Sequence, residues 1–203
     1  SMCIFRSRMH WPEARRSRAP GAALGLAIVL AAAIVWIASA LIWMVLPHHK
    51  SDFKGLPDEE ATRGALTPQS LQPGQYNIPH LPSWDAMKEL ENRRKFDEGP
   101  VGFLTVLPNR PPPMGKAMFL SFVFFAVVSI MVAYITGRTL STEAEYMTVF
   151  RVAGTVSFLA YGFGSIPSSI WFGRPWSAVI KDLFDSLVYG LLTAGAFAGF
   201  WPE

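Results

Sequence analysis

Apolar residues in this chain gather into four long runs, residues 21–46, 117–136, 152–172 and 178–201, and most charged residues fall between them. Each run is long enough to cross a bilayer as a helix, since roughly 20 apolar residues at about 1.5 Å rise cover a hydrocarbon core of ~30 Å. A soluble element would instead interleave polar positions at helical or strand period to build one apolar face. The pattern predicts an all-α integral membrane protein with four transmembrane helices, because a coiled backbone keeps its own hydrogen bonds in lipid. It divides the chain into a tail (1–20), a first span (21–46), a loop or cap (47–115) and a three-helix membrane region (116–203).

Residues 47–115 read as a small mixed α/β extracytoplasmic cap. Pro57 followed by Asp58, Glu59 and Glu60 starts a helix that should stop before Pro68. Pro73-Gly74 is a turn signal, and Gln75 to His80 reads as an extended segment. Ser83 is placed to cap a helix running to about Phe96, closed by Gly99-Pro100, and Val101 to Leu107 reads as a second strand. Pro108 and Pro111-Pro112-Pro113 then make a stiff spacer into the second span. Two helices and two strands bury little, so the cap should lean on the membrane helices or on a partner.

The tail sets the expected orientation. Arg6, Arg8, Arg15, Arg16 and Arg18 stand against the single acid Glu13, and Lys/Arg clusters are retained on the cytoplasmic side. With four spans, both termini are expected in the cytoplasm of a bacterial inner membrane. Ala38-Ser39-Ala40 resembles a signal-cleavage site, but the apolar run continues through Leu46, so an uncleaved anchor is expected.

Composition narrows the chemistry. Charged residues are 16% of the 203-residue chain and the net charge is only +3, with the cap's acids and bases in balance, so no nucleic-acid partner is expected. The single Cys3 excludes an intrachain disulfide and a C-x-x-C redox pair. All four histidines, His10, His48, His49 and His80, lie outside the runs, which argues against a haem held within the bilayer. His48-His49 with Asp52, and His80 further on, offer ligand atoms, but the spacing is not diagnostic of a metal. These residues read instead as a polar exit from the first span, and no metal, cofactor or catalytic residue is assigned. There is no G-x-S-x-G, H-E-x-x-H or Walker pattern.

The last two runs carry the candidate polar cluster: Tyr161, Ser165, Pro167 and Ser168 on the third helix, and Lys181, Asp182, Asp185 and Tyr189 on the fourth. A turn near Arg174 would make the two an antiparallel hairpin, setting Pro167 level with Lys181 and Phe163 level with Asp185. Pro167 should kink the helix where hydroxyls are dense, and Lys181 and Asp185, four apart, are expected to pair. Such a group lines a pathway or sits at headgroup depth with the lysine snorkelling. Small residues four apart, Ala160/Gly164/Ser168 and Gly190/Ala194/Ala198 with Gly195/Gly199, are expected at helix contacts. Thr142 and Glu145 are spaced as a capping box for the third helix.

These features point to a non-catalytic membrane protein, an accessory subunit or assembly factor whose partners are the lipid bilayer and other membrane subunits, or a second copy. A small oligomeric transporter or channel using the polar face of helices three and four is the alternative, and a membrane-embedded enzyme stands third.

Overall fold

The computed structural model describes residues 21–202; the Arg-rich tail lies outside the described residues. The chain is largely helical. Helix α1 is Gly21–Met44, followed by a short 3-10 turn at Pro47–Asp52, which we call the exit turn. The cap holds α2 (Glu59–Leu66), β1 (Gly74–Ile78), α3 (Leu90–Glu98) and β2 (Gly102–Val106). The rest is α4 (Met114–Thr139), α5 (Tyr146–Gly162), α6 (Ile166–Phe172) and α7 (Trp176–Gly199).

Among the described residues, three helical segments are long and apolar enough to cross a membrane: Leu24–Met44, Met114–Thr139 and the broken helix Tyr146–Phe172. Their packing is that of helices in lipid, with small side chains inward and large ones outward. Ala27, Ala31, Ala32 and Val35 of α1 are buried, whereas Leu26, Val29, Ile37 and Leu41 are exposed. The same holds in α4, where Ser129, Val132 and Thr136 are fully buried beside exposed Phe124, Val127 and Met131.

Helix α7 lies along the whole of α5. Gly154 meets Ala194 and the Gly190 carbonyl, Gly190 meets the Gly154 carbonyl and Phe158, and Gly162 lies against Leu183 and Ser186. At the far end the Trp201 indole donates to the Ser141 carbonyl at 3.0 Å, fastening the end of α7 to the α4–α5 loop. Only part of the expected small-residue pattern makes this contact. Gly190, Ala194 and Ala198 are buried, but Ala160 and Gly164 are exposed and Gly195 and Gly199 face open space. The small residues of α5 shown against α7 are instead Gly154 and Gly162.

Pro167 acts as expected. It has no N–H for the Phe163 carbonyl, which accepts instead from the Ile166 N–H three residues on, so a 3-10 turn (Phe163–Ser165) separates α5 from α6. Ser165 Oγ satisfies the Gly162 carbonyl at 2.7 Å, and Ser168 Oγ donates to the Ser165 carbonyl. Gly173, at φ 66, ends α6 in the left-handed conformation that glycine adopts most readily.

Two local expectations change. The third helix starts later than the Thr142–Glu145 spacing implied: residues 141–144 close a turn through Ala144 N–H to the Ser141 carbonyl, and α5 begins at Tyr146 with Glu145 as its N-cap residue. Ser83 caps a short 3-10 turn (Asp85–Lys88) rather than a continuous helix, and α3 begins afterwards.

The cap strands pair antiparallel, from Gly74 opposite Val106 to Ile78 opposite Gly102. Phe103 of β2 meets Phe172 of α6 edge to face at 5.4 Å, which seats the sheet on the end of the broken helix. Asp58 caps α2 by accepting from the Ala61 N–H at 2.8 Å.

Candidate functional site: a histidine–carboxylate cluster at the cap end of the bundle

The exit turn brings a short polar segment onto α7. Leu46 is extended, and Pro47 opens the 3-10 turn that follows. In this turn His48 and His49 present their rings on the same side, 4.1 Å between centroids and tilted by 43°. Trp43, one turn back on α1, stacks flat on His49 at 3.8 Å and 6°, which fixes that imidazole.

Both rings reach one carboxylate. His48 Nε2 lies 3.2 Å from Asp185 Oδ1, and His49 Nε2 lies 2.8 Å from Asp185 Oδ2, across 136 residues of sequence. The other nitrogen of His49, Nδ1, lies 2.7 Å from Asp52 Oδ2. Asp185 is 2% exposed and His49 5% exposed, so these contacts are withdrawn from water.

Lys181 completes the network from the far side of Asp52. Its ammonium donates to Asp52 Oδ1 at 2.6 Å, to Ser51 Oγ at 2.8 Å, and to the His48 carbonyl. One turn nearer the α6–α7 connection, Arg174 donates from both terminal nitrogens to the Asp182 carboxylate, the second contact at 3.1 Å. Gly173 allows this: after its left-handed turn the Arg174 N–H reaches back to the Ser168 carbonyl, and Ser169 Oγ donates to the Arg174 carbonyl at 2.7 Å.

Neighbouring charges tune the exit turn. Burial opposes the His49 imidazolium, but hydrogen bonding to Asp185 and Asp52, and their charges, outweigh it and hold its pKa above the ordinary value. The Lys181 hydrogen bond, followed by that of His49, holds the Asp52 carboxyl below its ordinary value.

The predicted cluster is thus divided between two settings. Tyr161, Ser165, Asp182, Asp185 and Tyr189 line one cleft of about 310 Å³, closed by Trp43, Arg174 and Ser186. Lys181 points away from it into the exit turn, and Pro167 and Ser168 shape the helix break. The expected Lys181–Asp185 pair is not made. Lys181 finds Asp52, Ser51 and a carbonyl together, and Asp185 is taken by the two histidines. His80, grouped with the ligand candidates on composition, is exposed in the cap.

Below the cleft, polar atoms continue into the bundle. The Tyr161 hydroxyl faces Ser129 and Thr193, and the Tyr189 hydroxyl faces Ser39 and Trp43; all four hydroxyls of Ser129, Tyr161, Tyr189 and Thr193 are buried without a well-formed hydrogen bond. The Tyr161 and Tyr189 rings meet edge to face at 5.8 Å and close this space.

Sequence reasoning missed the convergence of His48 and His49 on Asp185. One signal pointed to it: the exit of the first span and the polar start of the last run fall at the same end of the bundle. A buried aspartate there needs a partner, and the nearest polar segment across that end is 47–52.

Fold and site together describe a helical membrane protein with a polar cluster at the cap end of its spans. No known protein family, curated protein or solved structure matches the chain.

Proposed function

We propose that the chain is a four-span protein of a bacterial inner membrane, with both termini cytoplasmic, acting as a non-catalytic accessory subunit or assembly factor whose cap is completed by another membrane subunit. The observation that carries this is the state of the cap: of residues 53–113, Ala86 alone is buried. Ordering each backbone residue costs about 1–2 kcal/mol, and a segment without a core of its own has little to offset that. Its large apolar side chains stand in water, Trp84 at 87% and Phe53 at 81% exposure.

The exposed side chains form a groove of about 530 Å³ lined by Ile78, Leu81, Trp84, Met87, Phe103 and Trp171. Trp171 belongs to the end of the broken span, so the groove runs from the cap to the membrane surface. An occupant of the whole groove must itself sit at that surface, which favours a membrane-anchored subunit. The fourth span is supported by the length over which α7 follows α5 and by the Trp201–Ser141 bond at its far end. Orientation rests on the Arg-rich tail.

Purification in a gentle detergent is expected to retain one other membrane protein at fixed stoichiometry. Trp84→Glu is expected to reduce that complex by at least tenfold, since a central Trp commonly contributes about 2 kcal/mol or more to an interface, while the chain stays in the membrane. A lone monomer in several detergents and in nanodiscs would overturn the reading, and a Trp84-dependent homo-oligomer would assign the groove to a second copy.

The transporter or channel alternative is favoured by one feature, the cleft above Tyr161 and Tyr189. Asp182→Asn should abolish solute or proton flux in reconstituted vesicles if that reading holds, and leave a subunit's complex intact if it does not.

A further inference from the structure

We infer that His48, His49 and Asp185 form a binding site for a divalent late first-row transition ion, with zinc the leading candidate. The inference is independent of the partner reading, because the lone chain carries all three ligands. One ligand atom from each residue lies within 4.8 Å of the others. In a tetrahedral site with bonds of about 2.0–2.1 Å, neighbouring ligand atoms stand roughly 3.3 Å apart. The nitrogen–oxygen separations here, 3.2 Å from His48 to Oδ1 and 2.8 Å from His49 to Oδ2, run to the two different oxygens of Asp185, so an ion would bind both oxygens or draw the two rings toward one of them.

Hydrogen bonding at His49 sharpens the case. In the tautomer with Nδ1 donating to Asp52, the Nε2 lone pair faces Asp185 Oδ2, 2.8 Å away, and is free to bind an ion beside it. The bond from Nδ1 to a carboxylate is also the support that metal-bound imidazoles recurrently receive, and Asp52 is itself fixed by Lys181.

Charge points the same way. Lys181 balances Asp52 and Arg174 balances Asp182, and among the described residues the hydrogen-bond partners of Asp185 are the two histidines alone. A carboxylate this deeply buried calls for a compensating charge, and a divalent ion on two imidazoles supplies one. Two nitrogens and one carboxylate suit zinc, copper or nickel; magnesium and calcium prefer oxygen throughout. Three protein ligands leave a position free, and the 31% exposure of the His48 side chain marks the side on which water or a partner's ligand would enter.

The test uses the full chain in detergent or nanodiscs, stripped with a chelator and titrated with Zn²⁺, with Co²⁺ as the spectroscopic probe. One ion per chain is expected, with the intense visible bands of a low-coordinate cobalt site containing nitrogen. His49→Ala and Asp185→Asn should weaken binding at least 100-fold. Asp52→Asn, which weakens the support of His49 together with the Lys181 ion pair, should weaken it 10–100-fold, and His80→Ala should leave it unchanged. His48→Ala, at the exposed edge, keeps the test open if a more buried variant fails to fold. Absence of stoichiometric binding, or binding indifferent to the His48 and His49 variants, would overturn the site. Loss of a membrane partner by Trp84→Glu would not alter any of these results.

Discussion

Asp185→Ala is expected to lower the stability of the chain by about 3 kcal/mol, the lower end of the range for breaking a buried ionic pair. The carboxylate is 2% exposed and joins the exit turn to α7 through His48 and His49. Without it His48 and His49 lose the carboxylate that their Nε2 atoms face, and with it the turn's buried tie to the middle of the helix. The effect stops short of the full range because Lys181 still ties the turn to α7 through Asp52 and Ser51. Asp182→Ala is expected to cost less, since that carboxylate and Arg174 are both partly open to water. Thermal unfolding in detergent, comparing the two variants with the parent chain, reads the difference. Equal midpoints for Asp185→Ala and the parent would mean that the histidine–carboxylate contacts do not hold the exit turn.

Gly190→Leu is expected to destabilise the bundle by about 1–3 kcal/mol through overpacking. A Cβ at this position would lie 3.2 Å from the Gly154 carbonyl oxygen and 3.3 Å from the Phe158 backbone nitrogen. Backbone cannot yield as a flexible side chain can, so α5 and α7 must separate along their length. Gly195→Leu on the same helix is the matched control, because nothing lies within 4 Å of its Cβ direction. It should change the unfolding midpoint by the equivalent of about 0.5 kcal/mol or less, as substitutions away from packing contacts do. A large loss at Gly195 with none at Gly190 would reverse the assigned face of α7.

The sequence made the helices legible because hydropathy depends on composition over some twenty positions, and nothing in the fold competes with it there. The apolar runs match the helices to within a few residues at most ends. The start of α5 at Tyr146 lies ahead of the apolar run at 152 but after the start implied by the Thr142–Glu145 spacing. Pro167 was legible for a similar reason: a missing N–H acts locally, whatever the rest of the chain does. The cap strands at Gly74–Ile78 and Gly102–Val106 were bounded by Gly and Pro signals.

What stayed hidden was long-range. Lys181 and Asp185 satisfy the four-residue rule for a helical pair, but that rule stabilises by only about 0.2–0.5 kcal/mol. A segment that offers Lys181 a carboxylate, a hydroxyl and a carbonyl together outweighs it. Likewise, neighbouring histidines diverge in a strand but can present their rings together in a 3-10 turn, and that turn depends on Pro47 and on the Trp43 stack. Ala160 and Gly164 show the converse failure. Their spacing is that of a packing row, yet spacing does not say which face of a broken helix will meet its neighbour.

The threading of the chain is tested most directly by cysteine labelling in intact cells with a membrane-impermeant reagent. Starting from a Cys3→Ser background, single cysteines are placed at Gln69 in the cap, at Thr142 in the α4–α5 loop, and in a tag after Glu203. The account predicts that Gln69 is labelled at once, and that the loop and the tag react only after the membrane is opened. Labelling of the cap and the tag from the same side, with the loop protected, would mean that α7 does not cross and that the chain has three spans.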